Sequence, residues 1–344
     1  MIDNYRPVAI MSAIPKILDS IFCNKLKSLI GGLISDQQHG FVSGRSTVSN
    51  LSIFTNYLFN SIKTKSQIDT IYLDFKKPFD LVSHEVLLLK MKGYGFPQRF
   101  INWLSDYLNN RTLNVNINGT ISDPFVASSG VPQGSHLGPI LFLIFIDDIV
   151  KFIKFSQILL FTDDIKLFNK IDDYADYEHL QDDLSNIINW CSLNKLNLNF
   201  SKCFSVSYGR FISFDFDYKL ADTVFCQKTD VITDLGVIMD QKLNFNDHIT
   251  SVVGKANRAW EFIQRHSGSF NYITIRMLHF SFVKSIIMYA SNIWRPVFEC
   301  SMERLERVNH RAVRYLAYKL GTPMDKYDHD YTAVVGFGLP LNHQ

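Results

Sequence analysis

Cysteine is scarce and unpatterned in this chain of 344 residues: Cys23, Cys191, Cys203, Cys226 and Cys300 are the only five. Their number is odd, their spacing is wide and no Cys-x-x-Cys occurs. That excludes a disulfide scaffold and a cysteine-based zinc site, and it predicts a reducing, intracellular compartment, nuclear or cytoplasmic rather than secreted. Long apolar runs are missing too. The longest, Ile140 to Ile146, falls far short of the ~18 residues that a membrane span needs. The start, Met-Ile-Asp-Asn-Tyr-Arg-Pro, lacks the basic-then-apolar pattern of an export signal. There is no repeat, no low-complexity linker and no basic import cluster. What is abundant excludes disorder: 47 % of residues are hydrophobic, with 28 Phe and 15 Tyr. A chain of this length buries about 70–75 % of its unfolded surface and divides into two or three subdomains at roughly 100–200 residues each.

The net charge of +2 conceals an uneven distribution. Residues 241–320 hold 12 Lys and Arg against 5 Asp and Glu, so this segment carries +7 and the remainder −5. A basic segment beside an acidic body suits a polyanion track next to a carboxylate site, and it equally suits a solvated helical face.

Apolar periodicity predicts helices over Ser12–Ile30, Thr47–Ile62, from Ser83 to about Lys92, and from Pro97 to about Tyr107. Thr70–Phe75 is short, apolar and β-prone, and reads as a buried strand. Asn118-Gly119 marks a hairpin turn. A core helix follows the Val131–Gly134 loop and runs to Phe152. Ile158–Phe161 and Ile165–Phe168 flank a tight turn at Thr162-Asp163-Asp164. A helix over Tyr177–Asn194 and strands at Phe204–Tyr208 and Val231–Met239 precede a helical, basic region from Asn246 to Leu320. Strands and helices mix without strict βαβ alternation, which predicts an α+β fold.

Asp74 follows the first strand, and Asp163-Asp164 sits at a hairpin tip. Carboxylates delivered by adjacent strands can converge on Mg²⁺, whose shell is completed by water and substrate phosphates. Two such ions stabilise both the attacking and the leaving oxygen of a phosphoryl transfer. The chain holds four Asp-Asp pairs, and those at 147–148, 172–173 and 182–183 read as helix ends or solvated helix faces. Asp is also an ordinary turn residue, so spacing alone leaves a metal site and an acidic turn equally open.

The surrounding strings weigh in. Tyr72–Asp80 (YLDFKKPFD), Ser129–Ser135 (SGVPQGS) and Leu160–Asp164 (LFTDD) occur in that order. They resemble three successive motifs of the reverse transcriptases of non-LTR (LINE-type, jockey-like) retrotransposons. Asn4–Pro7, His39-Gly-Phe41 with Gly44–Thr47, Gly138–Phe142, the stretch from Trp190 to Lys202, Leu235-Gly-Val237 and Tyr289–Trp294 extend the similarity from about residue 3 to 340. The resemblance implies an α+β right-hand polymerase: partial fingers over 1–68, a palm over 69–240 with finger elements about 81–125, a basic thumb-like region over 241–320 and a tail over 321–344. It implies RNA-directed DNA polymerisation, a nucleotidyl transfer, with Mg²⁺ as cofactor and Mn²⁺ as substitute. The implied partners are an RNA template, a DNA primer and dNTPs. Asp74, Asp163 and Asp164 match the family's catalytic and metal-binding carboxylates. Arg6, Phe75, Phe79, Gln133, Gly134 and Lys202 match its nucleotide-binding positions, with Phe79 excluding a 2′-hydroxyl and Arg6 meeting the triphosphate. Each has a plainer alternative: Phe79 as core, Gln133 bonding its own loop, Arg6 and Lys202 as solvated charges.

Two residues depart from the resembled pattern. Pro78 stands where the family usually has Ala; it lacks an N–H, and it is expected to push Lys77 toward extended backbone. Thr162 likewise replaces Ala. The chain is also expected to be a remnant truncated at both ends, without upstream fingers or endonuclease. These features predict weakened or lost catalysis and leave a non-catalytic nucleic-acid-binding remnant as the alternative.

Overall fold

The computed structural model describes residues 8–109, 111–296 and 298–321, and the chain divides into two compact units at Asp230/Val231. The first unit contains α1 (Ala13–Ile30), α2 (Thr47–Lys63), β1 (Gln67–Leu73), α3 (His84–Gly93) and α4 (Gln98–Asn109). Nested two-residue pairs follow: β2 (Thr112–Leu113), β3 (Asn116–Ile117), β4 (Thr120–Ile121) and β5 (Phe125–Val126), with β2 on β5 and β3 on β4. Next come α5 (Leu137–Ile146), β6 (Gln157–Phe161), β7 (Asp164–Ile171), α6 (Tyr174–Leu193), β8 (Phe204–Tyr208), β9 (Lys219–Ala221), β10 (Val224–Phe225) and β11 (Gln227–Lys228). The main sheet has the order β11-β8-β1-β7-β6. Its central pairs are antiparallel, and only β11 runs parallel to its neighbour. This is the mixed α+β architecture expected.

Alternation along β1 assigns its two faces. Tyr72 lies under α2, where Phe54 meets it edge-on together with Phe168 and Tyr208. Ile71, Leu73 and Phe75 point the other way, into the core shared with α5 and α6. Helix α5 is apolar all round, and every residue of it except Pro139 is buried, as a helix enclosed by its own domain should be. Ser135 Oγ accepts from the Gly138 N–H at 2.8 Å, and the other N–H groups at this end are met from outside. Asp19 of α1, 2 % exposed, accepts from the N–H of His136 and of Leu137. No helix among the described residues is long and apolar enough to cross a membrane.

Two of the acidic pairs depart from the solvated helix ends and faces expected. Asp173 does cap α6, in a box with Asp176. Asp147 and Asp183 are buried, however. Asp147 accepts from the N–H of Ser35 at 2.7 Å. Asp183 accepts from three successive N–H groups, those of Lys154, Phe155 and Ser156. Asp148 receives Lys90 Nζ and Trp190 Nε1 at 2.6 and 2.9 Å, and burial lowers the Lys90 pKa. Buried carboxylates persist because the donors are supplied.

The second unit opens with β12 (Val231–Asp234) and β13 (Val237–Asp240), an antiparallel pair. A single strand over 231–239 was the expectation. Leu235 and Gly236, at φ 43° and 85°, instead form a two-residue turn of the kind favoured between paired strands. Leu is no turn former, so composition hid it; the Tyr289 hydroxyl braces the turn by donating to Leu235 O at 2.7 Å. The pair belongs to the same compact unit as the helices that follow it. The helices are α7 (Asn246–His266), α8 (Tyr272–Leu278), α9 (Ser285–Met288), α10 (Ser291–Trp294) and α11 (Glu299–Lys319), with a π-helical turn at 279–284. Trp260 and Trp294 are core, 1 % and 2 % exposed.

His248 links β13 to α7: its Nδ1 accepts from the Ile238 N–H at 3.1 Å. Burial lowers its pKa to about 4, which keeps Nδ1 an acceptor. The unfolded chain, with an ordinary histidine pKa, binds the proton first as pH falls, so stability drops between pH 6.5 and 4. One such proton costs the second unit about 1 kcal/mol between pH 7 and 5.5. Denaturant melts of the parent and of His248→Gln at both pH values check this; the variant loses about 1 kcal/mol of the drop and keeps the share of His279, which is buried in the same unit and also lowered to about 4.

Candidate active site

The site grows from the end of β1. Beyond Leu73, the segment 197–199 takes over the pairing: Asn199 N–H donates to Asp74 O, Phe75 bridges to Leu198, and Lys76 N–H donates to Asn197 O. Antiparallel register sets Leu73 opposite Ile165, so Asp74 lies across from Asp164 at adjoining strand ends. Phe161 pairs with Asp164, leaving Thr162 and Asp163 as the two-residue turn. Asp163 thus sits at the hairpin tip, next to Asp164. Lys202 Nζ lies 3.4 Å from Asp74 Oδ2, so a residue that reads in sequence as a solvated charge reaches the site.

Oxygen donors on adjacent strand ends suit Mg²⁺ in kind. Among the described residues, no three His, Cys, Asp or Glu side chains are gathered closely enough to hold a metal. The strand register sets Asp74 across from Asp164 and Asp163 at the adjoining turn, without a closed cage of side chains.

The segment after β1 forms the second wall. Lys77 is left-handed, at φ 43°, which corrects the expected extended backbone: the turn through Asp80, whose N–H donates to Lys77 O, requires the chain to reverse. Phe79 is half-buried and stacks on Phe142 of α5 at 4.7 Å. Phe75 is 3 % exposed, with its ring 6.4 Å from that of Trp190. Its side chain lies in the core, away from Asp74.

The Gly130–Gly134 loop rests on this wall. Gly130 has φ +87°, and a Cβ there would come within 2.7 Å of Asp80 O. Gln133 Nε2 donates to Asp80 Oδ1 at 2.7 Å, which fixes the amide. Gly134, at φ +105°, lies so close to Ala9 that a Cβ would stand 3.1 Å from Ala9 O, and Ala9 N–H donates to Gln133 O at 2.7 Å. The motif that includes Arg6 therefore leads into contact with the loop, while Arg6 itself lies outside the described residues.

Sequence reading missed Asp80, although it closes the YLDFKKPFD string. It also missed Gln38, for which no local pattern exists. Gln38 is fully buried. Its Oε1 accepts from the N–H groups of Thr162 and Gly40 at 2.9 and 2.8 Å, and its Nε2 donates to Thr162 O at 3.2 Å. Neighbouring His39 is buried, and burial together with Arg45 lowers its pKa.

A central antiparallel sheet thus carries Asp74 at a strand end and Asp163 and Asp164 at the adjoining hairpin, the layout of a polymerase palm. Residues 2–275 match the family model described as reverse transcriptase (RNA-dependent DNA polymerase), and the chain belongs to that family. Among curated relatives it is 24 % identical to a probable RNA-directed DNA polymerase from transposon BS of Drosophila melanogaster, over 94 % of this chain and 38 % of that protein. It is 28 % identical to the RNA-directed DNA polymerase from mobile element jockey of Drosophila funebris, over 73 % of this chain and 28 % of that one. The chain thus spans less than two fifths of these relatives. Among solved structures, apo telomerase from Candida Tropicalis aligns with a TM-score of 0.47 and 13 % identity, over 93 % of this chain and 60 % of that one.

Proposed function

We propose that this chain carries out RNA-templated DNA synthesis, adding dNTPs to a DNA primer. The observation that supports it is the placement of Asp74 opposite Asp164, with Asp163 at the turn between β6 and β7. In this reading Asp74, Asp163 and Asp164 hold Mg²⁺, or Mn²⁺ in its place, which supplies charge stabilisation for the attacking and leaving oxygens. Phe79, backed by Phe142, forms the floor under the sugar and leaves no room for a 2′-hydroxyl. Gln133, held by Asp80, and Gly134 frame the incoming nucleotide, with Arg6 on its triphosphate. Lys202 pairs with Asp74 until substrate arrives, then turns to the departing pyrophosphate. Residues 1–68 serve as partial fingers, the sheet domain as palm, and the second unit as a basic thumb for template and primer.

A second reading, binding without catalysis, is favoured by Pro78, which removes an N–H beside the sugar floor. Exposed Lys255, Arg258 and Arg265 on α7 would then track phosphates, with affinity falling steeply with salt. Primer extension on an RNA template in Mg²⁺ and in Mn²⁺, alongside a binding titration, separates the two. Growth of the primer that EDTA stops supports synthesis; salt-sensitive binding with no growth in either metal supports the second reading.

A further inference from the structure

The turn that carries Asp163 is held in an unfavourable conformation. Thr162 has φ 60°, and Asp163 is absent from the positive-φ residues. Glycine is the residue that suits the first position of such a hairpin turn, and a β-branched residue is the poorest fit. A restraint reaches Thr162 from outside the turn.

Gln38 supplies it from 124 positions away. Its amide grips both backbone groups of Thr162, accepting from the N–H and donating to the C=O. Two backbone bonds place the amide: His39 N–H donates to Leu160 O, and Leu160 N–H donates to Gln37 O, both at 2.9 Å. Asn50 Nδ2 adds a bond to Leu160 O at 3.0 Å. Gly40 completes the fit, because a Cβ there would overlap Thr162 Oγ1 and its backbone nitrogen. A fully buried amide whose oxygen and nitrogen both bond one residue's backbone, the oxygen taking the Gly40 N–H as well, restrains that residue's dihedrals.

We propose that Gln38 is a positioning residue, locking Thr162 left-handed so that Asp163 and Asp164 project together toward the metal. This rests on the reading that these carboxylates bind Mg²⁺ or Mn²⁺. The lock is a property of the loop before α2 acting on the catalytic hairpin, and Gly40 is small because that loop must touch the hairpin backbone.

The test uses the full chain with Gln38→Ala, Gln38→Glu, Thr162→Gly, the double variant Gln38→Ala/Thr162→Gly, and Asp163→Asn. Hydrogen exchange by mass spectrometry reads peptides covering 157–171, and electron paramagnetic resonance reads Mn²⁺ binding. Gln38→Ala is expected to speed exchange in those peptides and weaken Mn²⁺ binding, each about tenfold. Gln38→Glu, which keeps the acceptor and loses the donor, falls between. Thr162→Gly accepts the turn without restraint, so the double variant returns to within about twofold of Thr162→Gly alone. General loosening of the fold would weaken both backgrounds equally. The proposal is overturned if Gln38→Ala leaves exchange at 157–171 unchanged, or if the double variant stays as impaired as Gln38→Ala. Asp163→Asn without effect on Mn²⁺ binding sinks the metal reading separately, and the exchange data then still decide whether the lock exists.

Discussion

Asp163→Asn lowers cation-dependent primer extension by at least about a thousandfold, a loss of several kcal/mol of transition-state stabilisation. The substitution keeps size and turn preference, since Asn suits turns as well as Asp, and removes one negative charge at the tip between β6 and β7. The carboxylates of Asp19 and Asp183 are buried against backbone N–H groups, whereas Asp163 is half-buried at a hairpin turn. Thermal unfolding is therefore expected to shift little, by about 0.5 kcal/mol or less. Extension rates with parallel melting curves check both halves. A variant that extends primers at the parental rate removes Asp163 from the chemistry.

Pro78→Ala raises the efficiency of dNTP incorporation by about ten- to a hundredfold. In the turn that follows Asp74, the N–H groups of Asp80 and Leu81 donate to Lys77 O at 3.0 and 3.2 Å. Neither bond uses the nitrogen of residue 78, so the fold loses nothing to proline there. A charged phosphate approaching that nitrogen does lose a donor, worth roughly 1.5–3 kcal/mol. The measurement is kcat/KM for a single added nucleotide, parent against variant. The gain should lie in nucleotide use, with template–primer affinity unchanged. Equal efficiencies would show that the proline is neutral and that any deficit lies elsewhere.

How much of this was legible follows from the range of the interactions. β1, the hairpin and the helices α1, α2 and α6 show in local periodicity and caps, and the structure shifts their ends by a few residues. Asp74 and Asp163-Asp164 were visible because the apolar strings around them are local. Features that depend on partners far along the chain were not visible. Gln38 meets Thr162 across 124 positions, Asp147 meets Ser35 across 112, and Lys202 meets Asp74 through a loop that extends the sheet. The hairpin at 231–240 escaped because its turn uses Leu235 where turn chemistry prefers Asn or Gly. Strand alternation puts the side chains of Asp74 and Phe75 on opposite faces, which seats Phe75 in the core.

The most direct measurement is single-nucleotide addition by the unmodified chain. A DNA primer is annealed to four RNA templates that differ only in the next base, and each is offered every dNTP and rNTP in turn with Mg²⁺ and then Mn²⁺. Template-directed synthesis predicts one product per template, the complementary deoxynucleotide, with the matching ribonucleotide refused over Phe79. Binding of all four duplexes with no addition in either metal would contradict it.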